Sequence, residues 1–262
     1  MSALILRSTP VAGVVLLTLN RPDAFNALSE GMLSALQAEF DQLAHDQTAR
    51  VVIIAANGRA FCAGHDLKEM RAEPSTEYYQ KLFAQCSRLM LSLQKLPQPV
   101  IAQVHGLATA AGCQLVAMCD LAVAATPAKF AVSGVTLGLF CSTPAVAISR
   151  NLTRKRAMQL LMTGDFIDAQ TAMSYGLVNE VVELEDLEQT TLALAKKILT
   201  KPPAAVSLGK QMFYKQIETP LENAYELASQ TMACNMMDPD ALEGIQAFID
   251  KRPPSWAFRK EE

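Results

Sequence analysis

Two short runs of small residues hold the groups best placed to do chemistry: Phe61-Cys62-Ala63-Gly64-His65-Asp66-Leu67 and Gly106-Leu107-Ala108-Thr109-Ala110-Ala111-Gly112-Cys113-Gln114. Each follows a strand-like run, Val51–Ala56 for one and residues 99–105 for the other, and each opens into a helix-like pattern. Small side chains at such a junction let a ligand approach the backbone, and the first amides of a helix point outward as unpaired donors. Two such turns, if they converge, present two N–H groups to one developing negative oxygen, which is how an enolate or a tetrahedral intermediate is stabilised. No Gly-x-Gly-x-x-Gly follows a strand and no Walker lysine motif is present, so nicotinamide and nucleoside triphosphate chemistry are disfavoured.

The elements that must position these turns are legible as patterns. Val14–Leu19 is a strand-like run ending at the turn Asn20-Arg21-Pro22-Asp23. Ser29 then caps a helix whose apolar positions Met32, Leu33, Leu36, Phe40 and Leu43 share one face. Val51-Val52-Ile53-Ile54 is apolar throughout, as a strand covered on both faces should be. Residues 77–96 read as a helix stopped by Pro97, and Val100–Val104, Leu121–Ala125 and residues 177–182 as further strands. This alternation predicts an α/β core with crossover connections. From Asp186 onward only helical patterns remain, broken at Lys201-Pro202-Pro203 and Thr219-Pro220. The expected division is therefore an α/β core over residues 1–185 and a helical region over residues 186–262.

Bulk properties set the remaining bounds. Of 262 residues, 50% are hydrophobic and 19% charged, and the net charge is −3. That balance suits a globular enzyme and argues against nucleic acid or a membrane as the main partner. The first residues show neither a secretory nor an arginine-rich transit pattern, so a cytoplasmic location is expected. Six cysteines, at 62, 86, 113, 119, 141 and 234, form no Cys-x-x-Cys pair and have no histidine at metal spacing. They read as reduced small hydrophobes, with neither disulfides nor a metal site.

The two small-residue runs resemble the enoyl-CoA hydratase/isomerase (crotonase) superfamily, whose motifs run Phe-x-Ala-Gly-x-Asp-Leu and Asn-Gly-x-Ala-x-Gly-Gly-Gly-x-Glu-Leu-Ala-x-x-Cys-Asp. The resemblance extends over roughly residues 3–252. It implies a spiral of ββα units followed by a C-terminal helical region that builds a homotrimer, often paired into a hexamer. The oxyanion-holding amides it implies are those of His65 and Ala111. Glycines are usual in the family where Ala110 and Ala111 stand, and alanine keeps the N–H while resisting positive φ. The imidazole of His65 is a candidate base, but a lone histidine without an orienting partner reads better as a solvent-facing side chain on a working amide. Asp66-Leu67-Lys68-Glu69 reads as a capping box, and His105 as structural.

The departures matter most. Hydration of an enoyl thioester needs one group to activate water and an acid to protonate Cα, and the family supplies two glutamates. Their positions here hold Gln114 and Gly134, neither of which can exchange a proton near neutral pH. Each such group contributes about 10²–10⁴-fold, so standard hydratase activity should be weak or lost, and Gln114→Glu with Gly134→Glu should raise it. In the loop Gly138-Leu139-Phe140-Cys141-Ser142-Thr143-Pro144, Ser142 falls where the chlorobenzoyl-CoA dehalogenase branch keeps its aspartate. Ser142 or Cys141 is a candidate nucleophile there. The competing reading is a helix start capped by Ser142 or Thr143, with Pro144 in its first turn. This loop, the Gln114/Gly134 pair and the run Val206–Lys210 resemble one subgroup, that of enoyl-CoA hydratase domain-containing protein 3, which lacks both glutamates.

By the same resemblance Asn26, Ala27, Leu28, Ala63, Asp66 and Leu67 line a coenzyme A site completed by Phe248 and Lys251, often across a subunit boundary. Lys251 and Arg252 are also simply favourable charges at a helix end before Pro253. No permanently bound cofactor is implied; coenzyme A enters as part of the substrate. Three functional readings follow: an acyl- or enoyl-CoA enzyme using a two-amide oxyanion hole, a non-catalytic acyl-CoA binder, and a thioester hydrolase.

Overall fold

The computed structural model describes residues 3–258. A β-hairpin opens the chain, β1 (Ile5–Val11) pairing antiparallel with β2 (Val14–Leu19). Helix α1 (Glu30–Leu43) is capped by the Ser29 side chain, which accepts from the Met32 amide, and it buries Met32, Leu33, Leu36, Phe40 and Leu43 as its periodicity predicts. Three strand–strand–helix passages follow. β3 (Val51–Ala56) and β4 (Ala60–Cys62) lead to α2 (Leu67–Ala72) and α3 (Thr76–Lys95). β5 (Val100–Val104) and β6 (Leu107–Thr109) lead to α4 (Ala111–Met118). β7 (Leu121–Ala125) and β8 (Lys129–Ala131) lead through a 3₁₀ turn to α5 (Ser142–Asn151) and α6 (Arg154–Thr163). A short β9 (Ile167–Asp168), α7 (Ala169–Tyr175) and β10 (Glu180–Val182) close the spiral.

Each passage places one strand in each of two sheets. The larger has the order β1-β2-β3-β5-β7-β10, parallel except for the β1–β2 hairpin, and the smaller the order β4-β6-β8-β9. Within the smaller sheet β4, β6 and β8 run parallel, so the chain leaves β4 and β6 toward helices from the same edge. Both small-residue runs sit at that edge. Most of the core lies between the sheets and helices α1, α3 and α4.

Two expectations about boundaries are corrected. Residues 177–182 pair as a strand only from Glu180, because the Asn179 side chain accepts from the Ala122 amide and holds the chain before it as a loop. The division at residue 186 also fails physically. Helix α8 (Leu187–Leu199) buries Leu187, Thr191 and Ala195 against Val14, Val51, Ile53, Ile101 and Val123 on the outer face of the large sheet. The sheet needs that cover because β3 is apolar on both faces, so α8 belongs to the α/β body. The helices outside that body are α9 (Pro203–Ile217), α10 (Leu221–Met236) and α11 (Pro239–Ile249).

A buried charged knot ties α9 to the body. The Lys210 ammonium donates to the Leu93 carbonyl at 2.7 Å, the Gln98 carbonyl at 2.9 Å and Asp120 Oδ2 at 2.7 Å, which uses all three of its protons. Asp120 also accepts from the Val100 amide at 2.6 Å and the Tyr214 hydroxyl at 2.8 Å. Removing one member of such a buried pair costs about 3–5 kcal/mol, because the other charge is left uncompensated. Lys210→Met is therefore expected to lower unfolding stability by about that amount in urea titrations, while Lys155→Met on the exposed start of α6 changes it by less than about 0.5 kcal/mol.

Candidate active site

The two small-residue runs meet. Leu28 forms a parallel bridge with His65, donating to the Gly64 carbonyl at 2.7 Å and accepting from the Asp66 amide at 3.4 Å. In that pattern the N–H of His65 itself points to the side away from Leu28. Gly64 has φ +93°, and a Cβ on it would lie 2.9 Å from the Ala110 Cβ and 3.3 Å from the Ala111 nitrogen. At Gly112 a Cβ would overlap the Cys62 carbonyl oxygen. Glycine at both positions is what lets the end of β4 lie directly on the first turn of α4. Among the described residues neither the His65 nor the Ala111 amide donates to an internal acceptor. The Ala111 amide is also the first of the unpaired donors at the positive end of α4.

The strain expected at Ala111 sits one residue earlier. Ala110 adopts φ 51° and ψ −120°, a region that disfavours any residue with a Cβ, while Ala111 is already helical. The Ala110 amide donates to the Ala131 carbonyl at 2.9 Å, so the β6–β8 ladder holds the strained residue in place.

The side chains around the two amides divide into committed and uncommitted groups. Asp66 caps α2 by accepting from the Lys68 and Glu69 amides and pairs with Arg21 at 2.7 Å. Burial pulls its pKa up, but the Arg21 and amide hydrogen bonds outweigh it and leave the carboxyl below its ordinary value. The return arm of the expected capping box is absent: Glu69 accepts from the Glu30 amide and joins α2 to α1. Asn26 is fully buried, with its amide donating to the Asn57 and Ala60 carbonyls and its oxygen accepting from the Arg21 amide. It shapes the 25–28 loop, whose Phe25 and Asn26 both have positive φ. What that loop, with buried Ala27 and Leu28, offers a ligand is backbone and the exposed side chain of Phe25. Ala63 donates its amide to the Phe25 carbonyl, and Leu67 is exposed beside it.

His65 is not solvent-facing as expected. Its ring stands edge-on to Phe83 of α3, centroids 5.4 Å apart, and both ring nitrogens are screened from solvent without a hydrogen-bond partner among the described residues. Burial pushes its pKa below the ordinary histidine value against a smaller upward pull from the Leu28 backbone. Tyr79 continues this aromatic row one helical turn from Phe83. Gln114 is only 4% exposed and its Oε1 is likewise buried without a partner. It lies one turn beyond Ala110, and helical side chains lean toward the N-terminus, so its amide leans toward the Ala110–Ala111 turn.

Around Gly134 several expectations change. A Cβ there would come within 2.7 Å of both the Leu139 carbonyl oxygen and the Cys141 sulfur. Gly134→Glu therefore cannot simply restore a carboxylate; the 139–141 loop would have to move first. Cys141, not Ser142 or Thr143, occupies the cap position of α5, and its sulfur accepts from the Gly134 amide at 3.2 Å. It is buried, and burial pushes its thiol pKa up, which disfavours the thiolate. Ser142 is exposed at the first helical position and donates to the Phe140 carbonyl at 3.3 Å, with no base attached among the described residues. Sequence reasoning missed a hydroxyl pair beside Gly134: Thr109, at the end of β6, and Ser133, at the start of the 3₁₀ turn after β8, 3.0 Å apart. Phe248 and Lys251 are not brought to these turns: they lie on α11 and just past its end, with Phe248 84% exposed.

The chain is similar to a well-populated family. The profile of the enoyl-CoA hydratase/isomerase family matches residues 9–259. Mouse enoyl-CoA hydratase domain-containing protein 3, a protein named as mitochondrial, is 46% identical over 245 residues, covering 94% of this chain and 82% of the relative. A crystal structure of an enoyl-CoA hydratase from Mycobacterium smegmatis superposes with TM-score 0.96 at 62% identity, covering 97% of this chain and 99% of that one. The crystal structure of human enoyl-CoA hydratase domain-containing protein 3 superposes with TM-score 0.93 at 44% identity, covering 97% of this chain and 100% of that one.

The geometry at Ala110 gives a test of the backbone. Ala110→Gly removes the Cβ penalty at positive φ and is expected to stabilise the protein by about 1 kcal/mol, read as a higher urea midpoint at unchanged slope. An unchanged or lower midpoint would mean that Ala110 is not strained.

Proposed function

Because this chain belongs to the enoyl-CoA hydratase/isomerase family, in the subgroup of enoyl-CoA hydratase domain-containing protein 3, we propose that it binds acyl-CoA thioesters with the carbonyl oxygen between the amides of His65 and Ala111. The observation that carries this reading is the pair of adjacent turns whose two N–H groups have no internal acceptor among the described residues. Donors fixed by the backbone need no reorganisation when charge develops on the oxygen, and each is worth about 3–4 kcal/mol to a transition state. Coenzyme A is part of the substrate on this reading, with residues 26–28, Ala63, Asp66 and Leu67 toward the nucleotide side. Gln114 is a neutral amide that can hold an acyl substituent or a water but cannot take its proton.

Hydration is the reaction this site supports least. The position of one family glutamate is an amide and that of the other is a glycine packed against its own loop. Hydrolysis through Ser142 fares no better, since that hydroxyl is exposed and has no base among the described residues. A non-catalytic acyl-CoA binder is the second reading, favoured by the same missing carboxylates. Crotonyl-CoA hydration, followed by loss of enoyl absorbance, is expected to run far below the roughly 10 s⁻¹ typical of enzymes, and parallel thiol titration is expected to show no release of coenzyme A. Turnover near that rate would overturn the argument from Gln114 and Gly134.

We also propose a homotrimer, or two trimers paired as a hexamer, built through the C-terminal helices. On α10, Ala224 is buried and Leu227 and Ala228 are half-buried, so part of its apolar face packs within the chain. Leu221 and Met237 remain 75% and 73% exposed, with Tyr225, Met232, Phe248 and Ile249 exposed beside them in sequence. Uncovered apolar surface of that extent is unusual on a monomer, and closed symmetry is the common solution. Light scattering at micromolar concentration is expected to give a trimer or hexamer mass; a monomer would remove both the assembly and the shared-site role of Phe248 and Lys251.

A further inference from the structure

Helix α4 is buried along its whole length, and every residue on it except Gln114 is small or apolar. Gln114 is an amide only 4% exposed, and the two ends of that amide differ. Its Oε1 is shut off from solvent without a hydrogen-bond partner, whereas its Nε2 is neither shut off nor bonded among the described residues. An interior acceptor left unsatisfied costs stability, and such atoms recur where a side chain acts on a ligand. The atom of Gln114 that a ligand can reach is thus a donor, carrying two protons.

Helix geometry sets which part of a substrate that donor can meet. Residues three apart on a helix share a face, with Cβ atoms about 5–6 Å from one another, and helical side chains lean toward the N-terminus. Gln114 therefore stands on the side of Ala111, the first residue of α4. A thioester oxygen held at the Ala111 amide has C3 of its acyl chain about 3–4 Å away. C3 and its substituents are the part of the chain within range of Nε2.

We propose that Gln114 selects acyl thioesters with a carbonyl at C3, the 3-oxoacyl-CoA class, by donating an Nε2 proton to the C3 oxygen. This rests on the reading that the His65 and Ala111 amides hold the thioester carbonyl. A ketone oxygen matches the exposed donor because it brings lone pairs and no proton. A hydroxyl at C3 brings a proton that the sealed Oε1 cannot take. A carboxylate at C3 needs a charged partner when buried, and a neutral amide is not one. A saturated C3 leaves the Nε2 protons unpaired once the chain has displaced water from them. Thr109 and Ser133, 3.0 Å apart, add a second neutral donor at these turns, since whichever hydroxyl donates to the other, one proton remains. A glutamate at 114, ionised, would turn the same place into an acceptor and repel the C3 oxygen.

The test is calorimetric binding of acetoacetyl-CoA, 3-hydroxybutyryl-CoA and butyryl-CoA, which have equal chain lengths and differ only at C3. Wild type is expected to bind acetoacetyl-CoA about tenfold more tightly than either of the others, the size of one net hydrogen bond. In Gln114→Leu the ratio is expected to fall to about one; Gln114→Met serves if the leucine variant does not fold. Butyryl-CoA or 3-hydroxybutyryl-CoA bound by wild type as tightly as acetoacetyl-CoA, or a preference that survives in the variant, overturns the inference and leaves the carbonyl-binding reading standing. A folded variant that binds none of the three also overturns it, because Gln114 would then act on the whole site and not on C3. No binding of any of these thioesters by wild type overturns both.

Discussion

At Gly112 the first turn of α4 lies against the Cys62 carbonyl so closely that a single methyl group would overlap the oxygen, and at Gly64 the preceding turn touches Ala110 in the same way. These two backbone approaches organise the region. They hold the ends of β4 and β6 side by side beyond their short parallel pairing. They set two strand-to-helix junctions from different passages of the spiral edge to edge. Ala110 takes its unfavourable conformation under the same constraint, since the chain must turn within one residue between the β6–β8 ladder and α4. Glycine stands where backbone meets backbone, at 64 and 112, and alanine holds the strained conformation at 110.

The two positions at which the sequence resemblance expects glutamates differ in kind. Gln114 has the size of a glutamate without its proton chemistry, and its buried Oε1 is an unpaired acceptor among the described residues. Gly134 keeps nothing of a glutamate: Leu139 and Cys141 occupy the space its side chain would need, and the Cys141 sulfur has become an acceptor for the Gly134 amide. A glutamate at 114 would be close to isosteric, whereas any side chain at 134 meets the course of a loop. The polar side chains grouped around the two turns are the His65 imidazole, the Gln114 amide and the Thr109–Ser133 hydroxyl pair.

Local patterns in the sequence were reliable wherever one element decides its own environment. The stripe on α1, the doubly covered run of β3 and the caps at Ser29 and Asp66 all depend on residues a few positions apart. β1 went unread because its face pattern is weak, with Leu6 to Pro10 exposed at the sheet edge. Contacts between distant segments were the other failure. The burial of His65 depends on Phe83 from α3, the packing at Gly134 on the return of residues 139–141, and the inclusion of α8 in the body on a sheet face that no helical periodicity reveals. Lys210 looked like an ordinary helix lysine, since nothing in its neighbourhood announces a carboxylate 90 positions earlier.

That separation bears on how the chain is made. Asp120 ends the passage through α4, so its carboxylate is in place before β7, β8 and the four following helices have been synthesised. Its counter-charge leaves the ribosome 90 residues later, roughly five to twenty seconds at ordinary elongation rates. Throughout that interval the nascent α/β body cannot close over this carboxylate without burying an unpaired anion. The final dry packing at the end of α4 must await α9, and completion of the body is thereby timed to the arrival of its C-terminal helices.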